Sequence, residues 1–317
     1  MFRDDYQREM DDVRLSEQQK EWLTERMAAQ PVKAARRAGR TLLVAAAVCA
    51  LCAASALALS PTLREQMEAF LGGFSGYTQP VEAQTQVRDG LEFQVLSAMA
   101  DSSITKVYVQ VRDLEGDRLS GEVEVMGLIE RRDAPEAPKA EGNSYTFGGQ
   151  CVGYEAETKT ALLEFSRWGG YPTDAGEMCL NLIHLEGQQG EVLLEESLAF
   201  PLETELIDRR IIPLSGTVNS GITLEQVQFS ALGVTLHTRG EGNPSRDLSG
   251  VFLKDGTVIH PRYAGQGGDG DTRTSCWEFA DPVDPEEVVG LSLQYWYIPI
   301  QADDTAGPGH WLEQLPK

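Results

Sequence analysis

The side chains able to do acid–base, nucleophilic or metal chemistry are few and scattered. The four histidines, His184, His237, His260 and His310, stand singly. None pairs at the H-x-x-x-H or H-E-x-x-H spacing that turns two imidazoles toward one zinc ion. His237 and His260 fall on predicted strands, where a hydrogen-bonded structural histidine is expected. Gly73-Phe-Ser-Gly-Tyr77 lacks the last glycine of a G-x-S-x-G nucleophile elbow, and no strand precedes it. Gly265-Gln-Gly-Gly-Asp269-Gly-Asp271 has more ligand character, because glycines free the backbone and two carboxylates two residues apart suit calcium. A third acidic ligand and a closing glutamate are missing, so it reads as a flexible hairpin loop. The expectation is no catalytic residue, no metal and no cofactor: the chain does not read as an enzyme.

Cysteine chemistry is equally thin. Cys49 and Cys52 lie inside an apolar run, where they act as small apolar residues, and Cys151, Cys179 and Cys276 follow it. Three cysteines allow at most one bridge, so the chain needs a packed core, and buried thiols are expected.

The elements that would position any site are set by one stretch, Thr41 to Ser60, twenty residues without a charge. At about 1.5 Å per helical residue it reaches about 30 Å, the thickness of a bilayer core. Lys33, Arg36, Arg37 and Arg40 precede it, which predicts residues 1–40 in the cytoplasm and 61–317 outside. Ala54-Ser55-Ala56 offers a signal-peptidase site, and Arg36-Arg37 matches the pair in a twin-arginine signal. A signal peptide has a short basic start and about 7–15 apolar residues, however, whereas forty patterned residues precede this run, which reads as a retained anchor.

Residues 61–317 hold 18 Lys/Arg against 41 Asp/Glu. Nucleic acid and anionic lipid need basic patches, so neither is expected as a ligand of the outer part.

The inner tail reads as two short helices. Phe2, Tyr6, Met10 and Val13 share one helical face. After Leu15, Ser16 and Gln19 have capping-box spacing, and the second helix carries Trp22, Leu23 and Met27 before Pro31. Such helices are marginal alone in water. Their apolar stripe has little chain of its own to cover it, so a partner protein is expected on Phe2, Tyr6, Met10, Leu15, Trp22, Leu23 and Met27.

Beyond the span, Leu63 to Leu71 continues in helical style and stops at Gly72-Gly73, giving a juxtamembrane segment 61–77. The period then becomes two. Leu91/Phe93/Val95, Val107/Val109/Val111, Val123/Val125 and Leu163/Phe165 alternate, and Met178 to Leu185 reads as a strand buried on both faces. A second set follows: Ile222/Leu224, Val227/Phe229, Val234/Leu236, Val251/Leu253, Trp277/Phe279 and Leu291 to Ile298. Val87-Arg-Asp-Gly90-Leu91-Glu-Phe93 and Val218-Asn-Ser-Gly221-Ile222-Thr-Leu224 open the two sets alike. The fold class is therefore mainly β, two antiparallel immunoglobulin-like sandwich domains at 78–205 and 206–317, with a boundary near Leu202 to Arg210.

Taken in order, the tail segment Leu15 to Ala29, the basic-flanked span, the Leu63 to Leu71 helix, Gln79-Pro80-Val81 and the two strand openings resemble one family. Lys254-Asp-Gly-Thr257 and Asp284-Pro-Glu-Glu-Val288 add to the likeness. The chain resembles the membrane-anchored anti-sigma-factor-like proteins of Gram-positive bacteria whose outer region is a β-sandwich domain of unknown function. The resemblance implies that the tail sequesters an extracytoplasmic-function sigma factor while the outer domains sense the envelope. Residues 1–40 contain no His and no Cys, which excludes the zinc-binding class of these proteins. A surface-anchored binding module is the alternative, and an exposed aromatic patch from Trp168, Trp296 or Trp311 would mark it.

Overall fold

The computed structural model describes residues 59–81, 84–131, 149–169, 178–217, 222–240, 248–269 and 271–313. The tail and nearly all of the apolar run lie outside them. Residues Val48–Lys317 belong to one compact unit.

The described chain opens on helix α1 (Pro61–Leu71), whose ends follow from sequence. Ser60 caps it by accepting the Leu63 N–H at 3.2 Å, and Pro61 fills the first turn, where its missing donor costs nothing. Gly72 at φ 52° ends it, and a 3-10 helix runs over Gly72–Tyr77. Leu59 packs with Leu63, Leu96 and Leu162. Leu59 and Ser60, the last two residues of the predicted span, are thus part of the folded unit, and the rest of that stretch lies outside the described residues.

Four antiparallel sheets follow. The first joins β1 (Gln79–Pro80), β2 (Thr85–Arg88), β3 (Leu91–Ala100), β4 (Ile104–Asp113), β6 (Gly149–Glu155) and β7 (Thr160–Trp168), in the order β1-β3-β4-β7-β6 with β2 also on β3. The second joins β5 (Glu124–Arg131), β8 (Met178–Glu186), β9 (Val192–Leu194) and β10 (Leu198–Leu202), in the order β10-β8-β5 with β9 on β8. The third runs β11-β12-β13-β17-β16, from β11 (Arg209–Thr217), β12 (Thr223–Ser230), β13 (Gly233–Arg239), β16 (Arg262–Asp269) and β17 (Thr272–Glu278). The fourth runs β15-β14-β18-β19-β20, from β14 (Leu248–Leu253), β15 (Val258–Ile259), β18 (Val288–Leu293), β19 (Trp296–Pro299) and β20 (His310–Trp311).

The sheets work in pairs because each presents one apolar face. The first two share a core of β3, β4 and β7 residues with Leu180, Leu182 and Phe200. The last two share Val227, Val234, Trp277, Val251, Leu291 and Ile298. The two pairs have the same connectivity. A hairpin (β3-β4, β12-β13) starts one sheet, the next strand (β5, β14) crosses to the other, two strands return, and the last strands complete the second sheet. Both opening hairpins carry a bulge in their first strand, between Val95 and Ser97 and between Leu224 and Gln226.

Three sequence expectations change. Strand β8 alternates between buried and more open positions, with Ile183 exposed, so only one of its faces is covered. Gly265 to Asp269 is not a loop: it is edge strand β16, because β17 offers it a ladder from Arg262↔Glu278 to Asp269↔Thr272, shifted by one bulge between Tyr263 and Gly265. His260 lies just past β15 and donates its Nδ1–H to the Ser249 carbonyl at 2.6 Å.

Candidate functional site

The seam where α1 and the two sheet pairs meet gathers several buried polar groups, Asp101, Glu164, Gln228, Ser230 and Glu278 among them. Its apolar floor is Leu71, Met99, Ile104, Tyr108 and Leu232, flanked by Met67, Phe74 and Trp168. Two glycines set the approach. A Cβ on Gly233 would stand 2.0 Å from the Trp277 carbonyl oxygen and 2.9 Å from Ile104 Cδ1, and one on Gly73 would stand 2.7 Å from Pro282 Cδ. Only a missing side chain lets these backbones close.

Helix α1 is tied to the first sheet along its length. Gln66 donates to the Tyr154 carbonyl at 3.2 Å, and Phe70 meets Tyr108 edge-on at 6.5 Å. Glu155 accepts from Thr158 and from Ser60 at the helix start, which holds its carboxyl below the ordinary value.

Across the seam, Asp101 in the β3-β4 turn accepts the Ser103 and Ile104 N–H groups at 2.7 and 2.6 Å and the Ser230 hydroxyl from β12. Burial pushes this carboxyl up in spite of those donors. Ser102 donates to Gln228 Oε1 at 2.8 Å, which leaves the Gln228 amide to donate to His237 Nε2 at 3.0 Å. The proton of His237 then sits on Nδ1, facing the Thr274 hydroxyl at 3.2 Å. Burial holds His237 below the usual histidine range, so it is a neutral structural link.

A second bridge is ionic. Lys106 lies 3.8 Å from Glu164 of its own sheet and 3.3 Å from Glu278 of the other pair. Glu164 also accepts Tyr108, Gln150 and Ser166, and Glu278 accepts Trp168 Nε1 and Arg262. Burial would raise the Glu278 carboxyl, but Lys106, Trp168 and Arg262 outweigh it and hold it low.

Beside the seam opens a cleft of about 1240 Å³, walled by Tyr77, Gln79, Glu205, Asp208, Arg210 and Asp284 among others. Gln79 clamps the connecting segment by exchanging two 2.8 Å bonds with the backbone of Glu205. Arg210 is buried and fixed by Asp304 and by the carbonyls of Pro285, Val288 and Gln301. The lining holds carboxylates, guanidinium groups and the Thr78, Thr204 and Tyr77 hydroxyls, and no histidine or cysteine. Among the described residues no three His, Cys, Asp or Glu side chains are placed to hold a metal ion. Asp271 is engaged by Arg239 at 3.5 Å.

Of the residues singled out from sequence, Phe2, Tyr6, Met10, Leu15, Trp22, Leu23, Met27, Lys33, Arg36, Arg37 and Arg40 lie outside the described residues. Trp168 is half-buried at the seam and so leaves the predicted aromatic patch. Trp296 and Trp311 stay together, 5.2 Å apart, with Trp311 61% exposed. Cys151, Cys179 and Cys276 are all thiols, and Cys179 Sγ points at Asn181 Oδ1. The seam residues Asp101, Lys106 and Glu278 escaped sequence reading. Only Asp101-Ser-Ser103, a turn tripeptide between two apolar strands, carried a local signal.

Neither a protein-family model nor a curated protein matches the chain. Among solved structures, it is similar to the crystal structure of the conserved domain protein from Bacillus anthracis. That likeness has a TM-score of 0.51 at 14% identity, over 73% of this chain and 80% of the other. At this identity the likeness concerns the fold alone. Among the described residues no helix is long and apolar enough to cross a membrane.

Proposed function

We propose that the chain is a single-pass membrane anti-sigma factor and not an enzyme. Residues 1–40 hold an extracytoplasmic-function sigma factor in the cytoplasm, residues from Thr41 onward cross the membrane, and the β units face the envelope as sensors. The strand order shared by the two sheet pairs, β3-β4-β7-β6 over β5-β8-β10 and β12-β13-β17-β16 over β14-β18-β19, supports reading each as an immunoglobulin-like sandwich domain.

The observation that carries this reading is the docking of α1. The segment that directly follows the apolar run is built into the outer unit through Leu63 and Leu71, and the 3-10 helix after it packs Gly73 on Pro282. A sensor needs this continuity between what it detects and the span; a tethered adhesion module works as well on a loose linker.

The test is binding of the full-length protein to sigma factors of its own genome. Trp22→Ala should weaken the complex by about thirtyfold, the effect of losing an aromatic anchor worth about 2 kcal/mol, and should release transcription. Glu25→Ala on the polar side should leave both unchanged. Absence of any sigma-factor complex, with transcription indifferent to Trp22→Ala, overturns the proposal. The exposed Trp296–Trp311 pair favours the second reading, a surface-anchored binding module, which would then stand.

A further inference from the structure

The rim of the fourth sheet carries aromatic rings that the core does not need. The β18-β19 hairpin turns through Gln294-Tyr295, with Gln294 at φ 52°. This tight turn sets Trp296 opposite Leu293 on one side and opposite Trp311 of β20 on the other. The Trp296 and Trp311 rings meet edge-on at 5.2 Å and 73°. Gly309 makes room for this: a Cβ there would lie 2.5 Å from Trp296 Nε1. One residue further on, facing the other side of the sheet, Tyr297 meets His310 at 5.2 Å and Phe252 at 4.8 Å. The edge strand β20 is two residues long, so rings on both faces hold it as much as its ladder does.

Trp296 leans on the core, which fixes its plane, and Trp296 in turn fixes Trp311. Trp311 thus presents a large flat face to solvent in a set orientation, with Tyr295 at the hairpin tip 43% exposed. We propose that this rim binds a polysaccharide by stacking a pyranose ring on Trp311, with Tyr295 as a neighbouring contact. The proposal rests on the reading that residues 61–317 face the envelope, and it names the class of ligand sensed there.

Two observations select the occupant. Among the described residues the exposed large hydrophobic ones from β18 to β20 are Tyr295 and Trp311, both aromatic. A protein or lipid partner buries a contiguous apolar patch, whereas the apolar C–H face of a sugar needs one flat ring with polar groups around it. The formal net charge of −22 disfavours polyanions, so the sugar polymer is uncharged or N-acetylated.

The full-length protein, kept in detergent, is tested by co-sedimentation with insoluble chitin, cellulose and purified peptidoglycan. Retention is expected on at least one glycan. Trp311→Ala should weaken retention about tenfold or more with an unchanged melting temperature. Tyr263→Ala, which removes an exposed aromatic from the third sheet, should have no effect. Retention on no glycan, or equal retention of Trp311→Ala, overturns the proposal. Sigma-factor binding is read at Trp22 and does not involve Trp311. Loss of glycan binding with an intact Trp22 effect therefore removes this inference alone, and loss of the Trp22 effect removes only the anti-sigma reading.

Discussion

Trp168 at the end of β7 donates its indole N–H to Glu278 at the end of β17, so the last residue of one sheet's strand holds the last residue of another's. Lys106 reaches the same carboxylate at 3.3 Å. A tryptophan, a lysine and a glutamate distant in sequence thereby lock the two sheet pairs, in a place where Glu278 is almost wholly buried.

Glu278→Gln should lower stability by about 2 kcal/mol, because Lys106 loses the nearer of its two carboxylate partners in a largely dry site. Arg262, largely exposed, adds little. The Glu278 carboxyl is held below its ordinary value, so its contribution is present above about pH 4.3 and fades as pH falls through the folded-state value. Thermal melts of both proteins should differ at pH 7 and converge in acid. A constant difference at every pH would contradict the charge account.

Gly233→Ala should cost about 3 kcal/mol, since its Cβ would fall 2.0 Å from a backbone oxygen that cannot swing away. Hydrogen exchange should show faster exchange at Ile104 and Phe279, which flank the contact, with the β3–β4 ladder preserved. An unchanged melting temperature would rule out the tight seam.

Asp113 offers a contrast in pH response. It accepts Arg118 through both oxygens at 2.7 and 3.0 Å, and the N–H groups of Glu115, Gly116 and Arg118 as well. Arg118 holds its carboxyl well below the usual carboxylate range, against the upward push of burial. Asp113→Asn should cost about 2 kcal/mol at neutral pH. The loss should persist at pH values where that of Glu278→Gln has begun to shrink, because a lower folded-state value keeps the contribution to lower pH. Urea unfolding at pH 7 and pH 4 measures both.

Cys276 is buried beside Thr235, and burial pushes its thiol up to about 12. At pH 8 a thiol-specific reagent should leave it unmodified in the folded protein and label it on denaturation, as read by peptide mass mapping. Labelling at the native rate of a surface thiol would show that the β13–β17 face opens.

The strands were legible where one face is covered and the other is not. Leu91, Phe93 and Val95 alternate because β3 has a core on one side, and Gly72 marks the end of α1, whose start at Pro61 lies two residues before the Leu63 read from sequence. Gly265 to Asp269 was not legible, since a glycine-rich stretch becomes a strand only when β17 supplies its hydrogen bonds. Trp168 misled for a similar reason: nothing near it in sequence announces that Glu278 and Gly265 will cover it. The tail residues Phe2 to Met27 were read from periodicity alone and lie outside the described structure.

The way α1 is anchored decides how the molecule carries mechanical load. Leu63, Leu71 and the Gln66 bond grip β6 and the seam at several points along about 16 Å of helix. A pull on the chain ahead of Ser60 therefore loads these contacts together, in shear, and does not peel them off one at a time. Traction on the sheets reaches Pro61 with the helix still seated.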